Sequence, residues 1–165
     1  MIQDIQLRHF RSYNQASFEF GSGVNIVVGP NASGKTNLLE AILMVSRGRS
    51  YKAKDIDVVQ HKQPWARVDL RIEDGVRSLK LQKQPDSTFI KKSFVIDGKQ
   101  IARISLPKML PLVLFEPQDL QLLNGSPELR RDFLDNLLAQ TARGYDKTLK
   151  DYRRTLSQRN SLLKK

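Results

Sequence analysis

The sequence predicts an α/β fold with a mixed sheet that contains an antiparallel β segment, followed by C-terminal helices. Three observations predict this class. A glycine-rich loop stands between an apolar run and a helical pattern, alternating apolar residues are interrupted by Asp-Gly pairs, and two amphipathic helical patterns close the chain. We expect residues 1–125 to form one lobe and residues 126–165 to begin a helical domain.

Composition limits the class of protein. The chain has 165 residues, enough for a hydrophobic core, and its 39% hydrophobic content is ordinary for a globular protein. It has no cysteine, which excludes a disulfide framework, and the isolated His9 and His61 argue against a zinc cluster. There is neither an apolar run long enough to span a membrane nor a signal-peptide pattern, so we expect a cytoplasmic protein without a membrane partner.

The charge balance points to a polyanionic partner. Lysine and arginine number 28 against 17 acidic residues, giving a net charge of +11. Such a surplus favours nucleic acid, through electrostatic steering and counterion release. A basic surface that is only solvated is the alternative.

Residues 1–20 predict two antiparallel strands, because apolar residues such as Ile5 and Leu7 alternate with polar ones. The turn between the strands contains Phe10-Arg11-Ser12-Tyr13. Arg11 could meet a nucleotide phosphate or could be a cation in a surface turn, and composition does not decide between the two.

The central motif is Gly29-Pro30-Asn31-Ala32-Ser33-Gly34-Lys35-Thr36, which fits the pattern Gly, four residues, Gly-Lys-Thr. Such a loop places backbone N–H groups around nucleotide phosphates, its lysine on the β- and γ-phosphates and its hydroxyl on Mg²⁺. The apolar run 24–28 predicts a buried strand, and residues 35–46 predict a helix whose N-terminus faces the anion. A glycine-rich turn that merely packs a helix on a sheet is the structural alternative.

The middle of the chain predicts antiparallel hairpins between residues 66 and 102, with turns at Asp74-Gly75 and Asp97-Gly98. A short helical piece over residues 102–110, broken by Pro107, and a core strand over residues 111–115 are expected next. The cations of this region are as typical of protected strand edges as of a DNA face; they are Lys80, Lys83, Lys91, Lys92, Lys99 and Arg103.

Two helices are predicted at the C-terminal end. Ser126-Pro127-Glu128 is a typical helix start, with a capping residue, proline at the first helical position and an acid in the first turn. After Gly144, apolar residues from Tyr145 to Leu163 follow steps of four and three, which indicates a helix that packs on a partner helix or on its own domain. The pattern has no stop signal, so we expect the natural protein to continue beyond Lys165.

Several stretches together carry a family resemblance. They are residues 7–13, the loop with its flanks at 23–42, Gly48-Arg49-Ser50, Val113-Leu114-Phe115-Glu116-Pro117-Gln118-Asp119-Leu120, Gly125 to Asp135 with Arg130-Arg131-Asp132-Phe133-Leu134-Asp135, and residues 152–160. They resemble the RecF family of bacterial recombination-repair ATPases, a branch of the ABC/SMC-like group. The loop followed by Asn-Leu-Leu-Glu-Ala is shared across that group, whereas the stretches around Gln118 and Asp132 are narrower.

The resemblance implies lobe I of an ABC-type P-loop ATPase that binds ATP and Mg²⁺. It implies that the full-length protein dimerises around ATP, binds DNA at single-stranded/double-stranded gaps, and loads recombinase with mediator proteins during repair and replication restart. By analogy, Arg11 would lie near the nucleotide, Lys35 would hold phosphates and Thr36 would hold Mg²⁺. The γ-phosphate sensor, which would also approach the metal, is Gln118 or Glu116, with Gln118 slightly preferred.

Two motifs of this group do not occur in the sequence. An ABC ATPase also needs four apolar residues followed by Asp-Glu, and a Ser-Gly-Gly signature from the opposite subunit. Phe94-Val95-Ile96-Asp97 imitates the first, but Gly98 follows and favours a hairpin turn. We therefore assign no catalytic residue and expect an N-terminal portion with near-background ATP hydrolysis.

Two other functions remain open at this point. One is a small P-loop kinase with Asp97 as a metal ligand. The other is an interaction module whose loop holds phosphate incidentally and whose last helix is the recognition surface.

Overall fold

The computed structural model describes residues 1–85, 89–105 and 108–163, except for the side chain of Gln118. The chain divides into two compact units, Met1–Ser105 and Leu106–Lys165. The lobe boundary that we expect near residue 125 stays a prediction. None of the helices in the described ranges is long and apolar enough to cross a membrane.

The first unit is a six-stranded sheet with a helix on one face. The strands are β1 Ile2–Phe10, β2 Tyr13–Glu19, β3 Trp65–Ile72, β4 Gly75–Lys83, β5 Ile90–Ile96 and β6 Lys99–Ile101, and the helices are α1 Lys35–Arg47 and the short α2 Asp55–Val58. The strand order is β2-β1-β3-β4-β5-β6, and every neighbouring pair is antiparallel. The predicted antiparallel β segment is thereby confirmed.

Turn chemistry sets the register of the hairpins. Asp97 and Gly98 both have positive φ, at 48° and 78°, which is the backbone of the two-residue turns that match strand twist. The other turn is formed by Glu73 and Asp74, one residue before the predicted pair, and Gly75, at φ 150°, begins β4 opposite Ile72. A tight turn therefore joins two strands at Asp97-Gly98 and next to the predicted Asp74-Gly75 pair.

The core lies between α1 and one face of the sheet. Alternate strand residues point into it, and the helix adds an apolar stripe. Its fully buried members include Ile5, Leu7, Leu38, Ala41, Met44, Val45, Val68, Leu70, Leu79 and Leu81. The opposite face of the sheet carries polar and charged residues, so α1 and the phosphate-loop motif are fixed to one side of the sheet.

Two sequence expectations about secondary structure are wrong. Residues 24–28 form no strand, and Val24 and Val28 are 91% and 83% exposed. Residues 111–115 form no strand either, and Val113 and Phe115 are exposed. An apolar, β-branched run becomes a buried strand only where neighbouring strands complete its hydrogen bonds, and no described strand pairs with either run. Of the helical piece expected over residues 102–110, residues 102–105 are not helical, Lys108 is in a 3₁₀ conformation, and Pro107 lies outside the described residues.

The second unit is mainly helical. A 3₁₀ turn at Pro117–Leu120 leads into the short α3 Gln121–Asn124, then α4 Pro127–Thr141 and α5 Tyr145–Leu163. Ser126 precedes Pro127 as predicted, although its side chain makes no capping hydrogen bond.

Polar contacts join α4 and α5. The Tyr145 hydroxyl donates to Asp135 at 2.6 Å, and Arg153 contacts Asp135 at 3.0 Å and Asp132 at 3.2 Å. The apolar seam of α5 is half-buried at its start and exposed at Leu163. The first turns of the seam therefore pack within this unit.

Candidate nucleotide-binding site

The phosphate-loop motif ends at a helix N-terminus that no side chain caps. Gly34 is the residue before α1, in a left-handed conformation at φ 101°. Within the loop, the Ser33 N–H donates to the Pro30 carbonyl at 3.3 Å. Among the described residues, nothing accepts a hydrogen bond from the N–H groups of Ala32, Gly34, Lys35 and Thr36. Four free amides and the positive end of a helix dipole form an arrangement that binds anions.

Lys35 closes over its own loop. Its Nζ atom donates to the carbonyl oxygens of Gly29 and Pro30, each at 2.7 Å. Both acceptors are exposed, so the ammonium group can exchange them for phosphate oxygens without leaving the loop. The Thr36 side chain follows on the exposed side of the first helical turn.

The β1–β2 turn packs against the end of the loop. A Cβ atom on Gly34 would lie 2.8 Å from the Tyr13 hydroxyl oxygen and 3.0 Å from the Ser12 Oγ. Asn37 donates from its amide to that same Ser12 hydroxyl at 3.0 Å. Burial in this contact raises the pKa of the Tyr13 phenol. Only glycine fits the close approach and the positive φ at position 34, which explains its place in the motif.

Arg11 holds the β1–β2 turn to the second turn of α1. Its Nε and Nη2 atoms donate to the two carboxylate oxygens of Glu40, each at 2.8 Å, and its Nη1 donates to the Asp57 carbonyl at 2.8 Å. Ser50 donates to the same carboxylate at 2.5 Å. Glu40 has no exposed side-chain surface. One buried carboxylate thus joins the turn beside the phosphate loop to α1 and to the basic loop that follows it.

The pKa values of this pair follow from its geometry. Burial alone would raise the pKa of Glu40, but the hydrogen bonds from Arg11 and Ser50 outweigh it, and the net shift is downward. The hydrogen bonds to Glu40 raise the pKa of Arg11. Both groups are therefore charged at neutral pH.

The predicted nucleotide-contacting residues fall into two groups. The structure brings Gly29, the rest of the loop and the turn that contains Arg11 together, although the Arg11 guanidinium itself contacts Glu40 and Asp57. Gln118 belongs to the second unit, and its side chain lies outside the described residues. The roles of Arg11 and Gln118 at a nucleotide stay predictions.

Sequence analysis missed Glu40. The available signal was an acid within the apolar stripe of the first helix, two residues after Leu38. A carboxylate at such a position needs a buried cationic partner. The predicted turn that contains Arg11 could have suggested such a cation.

A magnesium ion fits this site only together with phosphate oxygens. In the described part of the chain, no group of three His, Cys, Asp or Glu residues could hold a metal ion. Mg²⁺ commonly takes one or two protein oxygens and completes its octahedron with phosphates and water. The exposed Thr36 hydroxyl meets that requirement for an ion that enters with a triphosphate.

Asp97 does not belong to this site. Its backbone N–H donates to the Val76 carbonyl at 3.1 Å, and its carboxylate packs against Gly75 in the neighbouring turn. The hairpin interpretation is therefore confirmed. The kinase alternative, which needed Asp97 as a metal ligand, is not favoured.

A family model and curated relatives identify the class of protein to which this chain belongs. A family model described as an AAA domain matches residues 4–164, and the chain therefore belongs to this family. The chain is similar to the N-terminal portion of RecF, as the sequence motifs predict. It is 40% identical over 164 residues to the DNA replication and repair protein RecF of Desulforamulus reducens, and 39% identical over 175 residues to that of Heliobacterium modesticaldum. These alignments cover 99% of this chain but 43% and 44% of the relatives, so the chain spans less than half of their length.

Solved structures confirm the fold class. The recombination mediator protein RecF-ATPrS in the RecFOR pathway matches with a TM-score of 0.74 and 29% identity, over 99% of this chain and 45% of that one. An SMC ATPase structure matches with a TM-score of 0.62 and 22% identity, over 82% of this chain and 98% of that one, which shows a common fold. The chain has the fold of an ABC-type P-loop ATPase lobe.

Proposed function

We propose that the chain binds ATP and Mg²⁺ on the loop between Gly29 and Thr36, as the N-terminal nucleotide-binding part of a DNA-binding ATPase of recombinational repair and replication restart. The observation that carries this proposal is the set of four free amides at the uncapped start of α1, together with Lys35, whose ammonium group is held on the carbonyl oxygens of the same loop. The first N–H groups of any helix lack intrahelical partners, and here a lysine adds its charge beside them.

The relatives support the biological setting. Similar curated proteins carry the name DNA replication and repair protein RecF, and solved structures of RecF with ATP share this fold. The net charge of +11 is in keeping with a DNA partner. In the proposed setting the full-length protein forms an ATP-dependent homodimer and works with recombination mediator proteins to load recombinase at gapped DNA.

Hydrolysis by this chain alone should be near background. The sequence contains neither the Asp-Glu pair that would activate water nor the Ser-Gly-Gly signature of an opposing subunit. Catalysis of phosphoryl transfer depends on positioning the reactants and on stabilising charge in the transition state. Without the residues that do both, most of the rate enhancement is lost. A slow rate that Lys35→Ala leaves unchanged would fit this expectation, and robust turnover by the pure chain would contradict it.

Nucleotide binding is tested with a fluorescent ATP analogue and Mg²⁺. Lys35→Ala removes charge-assisted hydrogen bonds to phosphate, which are worth about 1.5–3 kcal/mol, so affinity should fall about 10- to 100-fold. Lys99→Ala removes an equal charge from an exposed position on β6 and should leave affinity unchanged. Equal affinities for the wild type and Lys35→Ala would overturn the proposed phosphate site.

A further inference from the structure

Three cations lie side by side on the face of the sheet opposite α1. Arg8 of β1 is directly opposite Arg67 of β3, and Arg67 is directly opposite Lys80 of β4. Directly opposed residues project from the same face, and neighbouring strands are about 4.8 Å apart. The three side chains therefore form a row about 10 Å long. Lys91 of β5, which is diagonal to Lys80, extends it.

Most of this charge has no partner within the protein. All four side chains are exposed. Arg67 pairs with Asp69 at 2.8 Å through its Nε and Nη2 atoms. In the described ranges, no carboxylate lies within salt-bridge distance of Arg8, Lys80 or Lys91. Two more acids project from this face: Asp4 pairs with Arg71, and the exposed Glu19 of β2 is directly opposite Asp4.

The usual explanation for lysine on a sheet does not apply to this row. Cations on edge strands prevent sheets from joining edge to edge. Here β1, β3 and β4 are interior strands, each hydrogen-bonded on both sides. Like charges that are directly opposite in adjacent strands destabilise a sheet. The row therefore weakens the free protein, and a bound polyanion would remove that repulsion.

We propose that the row formed by Arg8, Arg67, Lys80 and Lys91 binds the phosphate backbone of DNA. Across three strand spacings of about 4.8 Å, the four residues form a row about 14 Å long, which can contact a few successive phosphates of one DNA strand. The row presents charge along the face of a sheet, which suits sequence-independent contact with the backbone. The choice of DNA as the polyanion rests on the proposed function, whereas the position of the surface rests on the strand register.

The test measures binding of a fluorescently labelled 30-base-pair duplex by anisotropy between about 50 and 200 mM salt. The triple variant R8Q/K80Q/K91Q should bind at least about tenfold more weakly at 100 mM salt. Its slope of log affinity against log salt should be shallower by about 2 to 3, because each lost phosphate contact accounts for about 0.9. The control K54Q/K99Q/K147Q removes the same charge from exposed positions outside the row and should keep the wild-type slope.

A charge-swap variant separates loss of binding from loss of folding. R8E/K80E places carboxylates on both sides of Arg67, so the repulsive row becomes an alternating one. This variant should melt at the same temperature as the wild type or higher, and it should bind the ATP analogue with wild-type affinity. Its affinity for the DNA duplex, in contrast, should be lost. A merely structural row would not give higher stability together with lost DNA binding.

The outcomes distinguish this inference from the proposed function. If the wild type, the triple variant and the control bind DNA with equal affinity and equal salt dependence, the row is not the DNA-binding surface, although DNA binding by the chain is still supported. If the wild type shows no salt-dependent DNA binding, both the row and the DNA part of the proposed function fail. ATP binding that depends on Lys35 would still support the nucleotide site in either case.

Discussion

Replacing Arg11 with alanine should destabilise the first unit more than any single change to a surface ion pair. The change leaves the Glu40 carboxylate, which has no exposed side-chain surface, with the Ser50 hydroxyl and with the Lys52 ammonium group at 3.9 Å. Breaking a buried pair from one side costs about 3–5 kcal/mol. Arg11 is itself 20% exposed, so we expect the lower end, about 3 kcal/mol.

Thermal unfolding followed by circular dichroism measures this loss. At about 4 °C per kcal/mol for a unit of this size, the midpoint should fall by about 12 °C. The alanine keeps the non-glycine positive φ of 53° at this position, so backbone strain is the same before and after. Glu73→Ala is the control in the same unit, because the Met1 ammonium group and the Glu73 side chain are 51% and 59% exposed and their pair should contribute less than about 1 kcal/mol.

A double-mutant cycle shows whether the pair itself is responsible. Adding Glu40→Gln to Arg11→Ala removes the uncompensated charge, so the double variant should be less destabilised than the sum of the two single variants. The coupling should be about 1–3 kcal/mol. Strict additivity, or a loss for Arg11→Ala no larger than that for Glu73→Ala, would refute the role given to this carboxylate.

Three further variants test other parts of the site and its support. Gly34→Ala should lower both the melting temperature and ATP affinity, because its Cβ would collide with the β1–β2 turn, whereas Gly98→Ala has open space and should show only the strain of its positive φ. The lowered pKa of Glu40 contributes stability that is present above the ordinary value of 4.5 and is lost as the pH falls below it, so Glu40→Gln should show a flatter stability profile in acid. Lys92→Met should lower the free energy of unfolding in urea by about 1–2 kcal/mol, because the Lys92 ammonium group pairs with Asp55 at 2.7 Å and donates to the Gly48 carbonyl at 2.8 Å. Its neighbour variant Lys91→Met should change that free energy by less than about 0.5 kcal/mol.

Local chemistry made much of the fold predictable. The two Asp-Gly pairs indicate tight turns, which form at Glu73-Asp74 and at Asp97-Gly98. The apolar spacing after Lys35 indicates a helix that the structure begins at that residue. These features depend on residues within a few positions of one another. The same holds for the phosphate-loop motif, whose glycines and lysine are set by spacing.

Features that depend on distant partners were not predictable. Residues 24–28 have the composition of a buried strand, but a strand also needs neighbours that supply hydrogen bonds, and these are not encoded in the run itself. Glu40 stands within the apolar stripe of its helix, but Arg11 is 29 positions away, so the pattern does not say which cation the carboxylate meets. The row of Arg8, Arg67 and Lys80 exists only because the register places three separate stretches side by side.

The exposed segment at residues 24–28 has a practical consequence. Its aliphatic side chains face water, and within the described ranges its backbone forms no ladder with another strand. A segment of this kind is a template onto which a second molecule can add a strand. Concentrated solutions of the 165-residue chain should therefore scatter light increasingly with time, and Val24→Lys should clarify them without altering the melting temperature.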